Sequence, residues 1–281
     1  MSKIKLATNI AKSIGKQLLK RSTTLTYPPI PYLKKKILKH QDHSTEKEIK
    51  LSDFKINYRN PLEVIHTYED IFVKEIYKFR AASNNPAILD CGSNIGLSVL
   101  YFKSLYPDSH ITCFEPDENN FALLKKNIDQ NHLSNITLQK KAVWIDNAGV
   151  LFEAKGSEGS RISTAVEQSN MRKVETIRLA ELLSEFKSID FLKMDIEGAE
   201  YDVIMDCKPY LSKIDFMFIE YHGTAYETER LANLLHIFDS TGFGVYIKNA
   251  ADLLQNPFIQ QKTGDAYDVQ LNIFCYKKRN V

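Results

Sequence analysis

Long apolar runs are missing from this chain of 281 residues, which argues against a helix crossing a bilayer. An apolar signal segment with a cleavage site is missing too, so a cytoplasmic rather than a secreted protein is expected. Cysteine is scarce. Cys91, Cys113, Cys207 and Cys275 stand far apart, and none forms a CxxC pair. Neither a zinc cluster nor a disulfide framework is expected from them; they read as reduced core thiols. Repeats and low-complexity stretches are absent. Acid is absent from residues 1 to 41, which hold ten Lys or Arg. The remaining 27 basic and 35 acidic residues leave a body of net charge −8 within a chain of net +2. A basic arm on an acidic body implies an interaction surface. No aromatic-basic recognition motif accompanies the arm, which counts against nucleic acid.

What is present is a folded domain's composition, 43% hydrophobic and 26% charged. The length suits one large α/β domain with a decorated end. Residues 1–50 read as a basic extension and linker. Ile4, Ala7, Ile10, Ala11, Ile14 and Leu18 fall at helical spacing among lysines. Such a helix over residues 1–22 either packs on the domain or lies on an anionic membrane. "YPPIPYLKKK" breaks it and reads as a linker. In residues 51–281, "HTYEDIFVKEIYKF" sets Ile71, Ile76 and Phe79 near one helical face. Then strands and helices alternate: "AILD", "LSVLYFKSLYP" stopped by Pro107, "HITCFEP", and a helix opened by Asp117. "ITLQKKAVW" reads as one strand. After the shorter strands "GVLFEA" and "KVETIRL" come the helix "LAELLSEF", the strand "IDFLKMD" and a helix over Ala199–Leu211. The strand "DFMFIEYH", the helix "TERLANLLHIF" and the strands "GVYIK" and "VQLNIFCY" complete the chain. This alternation predicts a mostly parallel sheet with helices on both faces.

In such a sheet ligands bind beyond the carboxyl ends of the strands. The first turn to inspect is "ILDCGSNIG", where Gly92 and Gly96 permit close backbone approach before a helix. A dinucleotide site wants G-x-G-x-x-G for its pyrophosphate. Here Asn94 stands in place of the middle glycine, and the Asp90 carboxylate precedes the turn, where it would repel phosphate. Glu115 ends the second strand, 25 residues after Asp90, the place of an acid that accepts hydrogen bonds from ribose hydroxyls. A ribose joined to a cationic end, without pyrophosphate, describes S-adenosyl-L-methionine. Rival readings are an NAD-dependent oxidoreductase, against which Asp90 and Asn94 argue, and a non-catalytic module that keeps the cofactor fold.

The stretches "ILDCGSNIGLSVLYF", "FEPDENNFALLKKNI", "KKAVW", "FLKMDIEGAEYDVI" and "FIEYHG" resemble the FkbM-type S-adenosylmethionine-dependent methyltransferases. The resemblance runs over residues 60 to 281 in order. It implies the class I methyltransferase fold, Rossmann-like, with seven strands of which the last is antiparallel and inserted near the sheet edge. It also implies O-methyl transfer to a hydroxyl of a glycan or other natural product. The basic arm lies outside it.

The cofactor contacts expected are Asp90, Gly92, Ser93, Asn94, Gly96, Glu115, Pro116 and Asp195, with Ala142 and Val143 flanking the adenine. Trp144 reads as core. Methyl transfer to a hydroxyl needs alignment and a general base. Asp195, Glu197, Glu220 and His222 fall at the carboxyl ends of two strands, where the methyl group should point. His222 is the preferred base, because imidazole accepts a proton near neutral pH. Asp195 and Glu197 would bind the acceptor or orient the base, and Glu220 would act with His222. Glu200 reads as a helix-start acid favoured by the dipole. Asp195, Glu197 and Glu220 permit a divalent metal, but no spacing rule demands one, and no metal is assigned. Arg161, in "GSEGSRIS", sits in a loop able to cover the cofactor, and "NPFIQQKTGDAYDVQLN" is placed to line the acceptor pocket.

Overall fold

The computed structural model describes residues 27–153, 161–162, 171–259 and 267–278. The basic helix expected over residues 1–22 lies outside them, as does most of the loop around Arg161. The expected linker is helical from Tyr32: α1 spans Tyr32–Lys39 and buries Leu38, while Ile30 just before it is also buried. A hairpin of β1 (Lys47–Leu51) and β2 (Phe54–Tyr58) follows, then α2 (Pro61–Tyr68). Asn60 caps α2 by accepting hydrogen bonds from the Leu62 and Glu63 amides, with Pro61 at the first helical position. The helical path widens into a π turn over Glu69–Val73 and stops there. Ile76 and Phe79 reach the same core from irregular chain beyond it.

The body runs β3 (Ala87–Cys91), α3 (Leu97–Leu105), β4 (His110–Phe114), α4 (Glu118–Gln130), β5 (Ile136–Gln139) and β6 (Ala142–Trp144). Next come β7 (Val150–Glu153), β8 (Arg161–Ile162), β9 (Met171–Val174), β10 (Thr176–Arg178) and α5 (Leu179–Glu185). Last are β11 (Ile189–Met194), α6 (Glu200–Cys207), β12 (Ile214–Gly223), α7 (Thr228–Ser240), β13 (Phe243–Asn249) and β14 (Val269–Lys277). The main sheet has seven strands in the order β13-β14-β12-β11-β3-β4-β5. Strands β12 through β5 are parallel, and β14 runs antiparallel to both its neighbours. This is the class I methyltransferase sheet that the resemblance implied, with the last strand inserted beside the edge.

Two expectations change in detail. "ITLQKKAVW" is two strands, because Lys140 and Lys141 interrupt the apolar run. β5 closes the sheet edge, and β6 leaves it to pair in parallel with β10. The helix after Ala199 is α-helical only to Cys207; Pro209 then tightens the chain into a 3₁₀ turn over Lys208–Lys213.

The sheet separates two cores. One packs α3, α4 and the N-terminal elements against Ile88, Phe191 and Phe218; the other packs α5, α6 and α7 against Leu89, Leu192 and Ile219. The N-terminal hairpin is locked to the body by Asn127, which is fully buried. Its Nδ2 donates to the carbonyls of Asn57 (3.0 Å) and Ile95 (2.8 Å), and its Oδ1 accepts from the Asn57 amide at 2.6 Å.

Candidate active site

Alternation along the parallel strands carries each from an apolar middle to a polar carboxyl end on one face. On β12, Phe216 and Phe218 give way to Glu220 and His222. On β11, Phe191 gives way to Lys193, and Asp195 follows the strand end. On β3, Ile88 gives way to Asp90. The parallel register sets Lys193 opposite Asp90 and, on the other side, opposite Phe218.

The glycine turn then meets the end of β11. Gly92 has φ +83°, and a Cβ there would lie 1.8 Å from the Asp195 carbonyl oxygen. Only glycine lets the two strand ends close up, and the Asp195 amide donates to the Cys91 carbonyl at 3.1 Å. Gly96 opens α3 at φ +90°. Asn94 adopts φ +48°; its amide donates to Glu115 Oε2 at 2.8 Å, and its side-chain amide donates to Glu63. The Asp117 amide donates to Glu115 Oε1 at 2.8 Å. The structure therefore brings the turn and Glu115 together. Burial pushes the Glu115 carboxyl up to about 8 against those two amide donors. Pro116 beside it is half-buried.

Asp90 lies beneath the turn, fully buried, rather than on its surface. Ser98 Oγ donates to its Oδ2 at 2.5 Å, and Lys193 Nζ stands 3.7 Å from its Oδ1. Burial raises its pKa. The Ser93 hydroxyl, also buried, turns back to the Asp90 carbonyl at 2.9 Å. Ala142 and Val143 are buried in β6, and Val143 shares a core with Leu89 and Phe114.

Lys193 was not anticipated from the sequence. It reads there as one polar residue in an apolar strand, yet its ammonium is buried among carboxylates. It donates to the Gly92 carbonyl and stands 3.4 Å from Asp195 Oδ2. Burial works against its charge, but Asp195, Tyr77, Asp90 and Glu220 hold it protonated. A cleft opens above it, lined by Glu63, Tyr77, Asn94, Lys193, Asp195 and Glu197 among others.

Behind Glu197, which lines this cleft, is His222, 3% exposed at its side chain. Its Nδ1 lies 3.2 Å from Glu200 Oε1, and its Nε2 lies 3.7 Å from Glu197 and 3.9 Å from Glu220. Glu200 does stand on the first turn of α6, but it is fully buried and does more than favour the dipole. Its carboxylate accepts from the Ile196 amide at 3.0 Å and the Gly198 amide at 3.1 Å while holding the imidazole. Burial alone would strip the His222 proton, but the Glu200 carboxylate, with Asp195 and Glu197, raises it to about 10. The near-neutral imidazole expected of a base is thus a charged ring at neutral pH. Glu220, a quarter exposed, is pushed up to about 8 by burial and by Asp195.

Tyr267 comes from the late segment expected near the acceptor. Its ring centroid lies 5.2 Å from that of His222, and its hydroxyl donates to the Glu197 carbonyl at 2.7 Å. That contact needs Gly198, where a Cβ would sit 1.8 Å from the Tyr267 hydroxyl. Glu197 itself has φ +57°, a left-handed conformation held by this surrounding structure. Arg161 lies on β8, and the placement of its side chain is outside the described residues, as are residues 260–266.

The methyltransferase FkbM domain family matches residues 90–245. Methyltransferase 1 of Beauveria bassiana is 27% identical over 183 residues, covering 56% of this chain and 74% of that protein. The 2-O-methyltransferase NoeI of Sinorhizobium fredii is 31% identical over 156 residues, covering 49% of this chain and 63% of that protein. Among solved structures, methyltransferase FkbM of Methylobacillus flagellatus aligns with TM-score 0.45 and 19% identity, over 72% of this chain and 46% of that longer one. The family match takes in more than half of the chain and both strand ends of the site, and the protein belongs to the FkbM methyltransferase family.

Proposed function

We propose that the protein is an S-adenosylmethionine-dependent O-methyltransferase whose acceptor is a hydroxyl of a glycan or other natural product. The observation that carries this reading is the charge of the cleft. Among the described residues, Asp195, Glu197 and Glu220, with Asp90 and Glu200 buried behind them, are paired with the cations Lys193 and His222. Carboxylates that outnumber the cations at one end suit a ligand that is cationic there and disfavour a pyrophosphate. The family membership and the hydroxyl-directed name of the rhizobial relative agree with it.

S-adenosylmethionine supplies a methyl carbon activated by sulfonium, so transfer forms a C–O bond, breaks a C–S bond and releases one proton from the acceptor hydroxyl. The residues divide that work. The turn from Gly92 to Gly96 offers backbone at close range, with Ser93 and Asn94 shaping it. Glu115 accepts from ribose hydroxyls through the lone pairs its two amide donors leave free. Pro116, Ala142 and Val143 border the adenine. Asp90 acts from below, through Ser98 and Lys193, and Asp195 faces the cationic end. Glu200 fixes His222, and the charge of His222 in turn faces Glu197 and Glu220 at the acceptor end. Because His222 carries its own proton, the proton released from the acceptor goes to one of these carboxylates.

Calorimetric titration of the full chain with S-adenosylhomocysteine, with NAD as control, tests the reading. Binding of the first and not the second is expected. Binding of NAD alone would overturn it.

A further inference from the structure

We propose that Asp195, Glu220 and His222 bind a divalent cation of the Mn²⁺ or Mg²⁺ class at the acceptor end of the cleft. One ligand atom from each of the three lies within 4.8 Å of the others. They come from the carboxyl ends of the adjacent parallel strands β11 and β12, so the scaffold beneath them is rigid. A small contraction brings such a set to the spacing of ligands on one face of an octahedral ion.

The second observation is the state of the imidazole. The His222 ring is almost wholly buried, and its Nδ1 is committed to Glu200 at 3.2 Å. Its Nε2 points into the cluster with its nearest carboxylates at 3.7 and 3.9 Å, beyond hydrogen-bond distance. A carboxylate anchored by the Ile196 and Gly198 amides thus holds the Nδ1–H side of the ring, and a bound cation takes the place of the Nε2 proton that otherwise faces the two acids. That is how proteins orient a metal-binding imidazole. Lys193 contacts Asp195 through Oδ2, at 3.4 Å, and leaves Oδ1 for a cation. The gathered carboxylates of Asp195, Glu197, Glu200 and Glu220 give the ion its electrostatic reason to bind, and its charge favours the ionised form of Glu220. Two carboxylate oxygens and one imidazole nitrogen leave three coordination positions for oxygens from the acceptor or water.

The use of the cation rests on the transferase reading; its binding does not. Bound there, it would take two neighbouring oxygens of the acceptor, as in a vicinal diol or an α-hydroxy carbonyl, and acidify the hydroxyl that receives the methyl group. Glu197 is the carboxylate left outside the ligand set, and it takes the proton. The acceptor class is thereby narrowed to molecules with adjacent oxygens.

The test is a titration of the chelator-treated full chain with Mn²⁺, followed by electron paramagnetic resonance. It is run on wild type, His222→Gln and Glu220→Gln, each also titrated with S-adenosylhomocysteine. One equivalent of Mn²⁺ is expected for wild type, with affinity roughly tenfold or more weaker in both variants. S-adenosylhomocysteine should bind all three alike, which also reports that the variants are folded. Absence of stoichiometric Mn²⁺ binding to wild type, or equal binding to all three, overturns the cation site. Mn²⁺ binding without S-adenosylhomocysteine binding upholds the cation site and removes the cofactor reading instead.

Discussion

Replacing Gly92 by alanine tests whether the close approach of β3 and β11 holds the site together. The new Cβ would begin 1.8 Å from the Asp195 carbonyl oxygen, and ordinary contact begins at 3.4 Å. The strand ends must therefore part by about 1.6 Å. The φ of +83° adds about 1–2 kcal/mol of strain for a residue with a Cβ. Parting also pulls the Gly92 carbonyl from the buried Lys193 ammonium, a charge-assisted bond of about 1.5–3 kcal/mol. The expected loss is about 3–5 kcal/mol in urea unfolding at neutral pH. S-adenosylhomocysteine binding should weaken with it, because Asp195 moves. Gly96→Ala is the control. It has the same sign of φ, but its Cβ would meet only Leu124 Cδ1, at 2.6 Å, a side-chain end that can swing away. Its loss should stay near the strain alone, about 1–2 kcal/mol. Equal losses for the two variants would refute the view that Gly92 is required by the neighbouring strand rather than by its own turn.

Three further outcomes follow from buried polar groups. Glu115 has its folded pKa raised from 4.5 to about 8, so the stability it contributes is full below the unfolded value and is lost as pH rises through about 8. Between pH 5 and 8 wild type should lose about 1.4 kcal/mol per pH unit relative to Glu115→Gln, measured by urea unfolding, and parallel curves would sink the assignment. The same variant should bind S-adenosylhomocysteine about 1.5–3 kcal/mol more weakly, since ribose hydroxyls favour the ionised acceptor. Glu200→Ala leaves the charged His222 ring and two amides without their acceptor and should cost about 3–5 kcal/mol; a loss under about 1 kcal/mol would show that the buried pair contributes little. Asn127→Ala removes the buried bonds that tie the hairpin to α4 and should cost about 2–3 kcal/mol, with limited proteolysis moving into residues 47–58, whereas an unchanged cleavage pattern would mean that apolar packing and the outer bonds from Gln130 and Asn131 hold the hairpin without it.

The order of strands and helices was legible in the sequence because periodicity is local. Asp117 as an N-cap, Pro107 beyond the end of α3 and the acids at the strand ends are all signals within a few residues. Pairing is not local. Nothing in "ITLQKKAVW" says that its last three residues leave the sheet to pair with Thr176–Arg178. The helix from Tyr32 was hidden by three prolines and three lysines that read as a linker. Within the site, Asp195, Glu197, Glu220 and His222 could be grouped from position alone. Glu200 could not join them, since its tie to His222 crosses 22 residues and depends on the turn of Gly198. Tyr267 was visible only as part of a late segment, because its contact with Glu197 spans 70 residues.

Lys193 is the deepest of these omissions, and it changes how the field of the cleft is understood. From the sequence, Asp90 repels phosphate by standing at the mouth of the turn. In the fold Asp90 is beneath the turn, and a lysine lines the cleft above it. A lysine there would favour phosphate if it stood alone. It does not: Asp90 and Asp195 flank it at 3.7 and 3.4 Å, and its proton points at the Gly92 carbonyl. Its charge is spent on holding two acids and one carbonyl in place, so the surface it presents is that of the acids. The discrimination first assigned to Asp90 therefore belongs to the set. Lys193→Met should reveal this by leaving the buried Asp90 carboxylate, with the half-buried Asp195 near it, without a counter-charge, so that a proton must enter with folding. Its stability should fall more steeply than that of wild type as pH rises from 5 to 8, a slope to which Glu115, Glu220 and Asp90 already contribute in wild type. An unchanged slope would mean that Asp90 and Asp195 do not sense the lysine, and the cleft's negative field would then need another source.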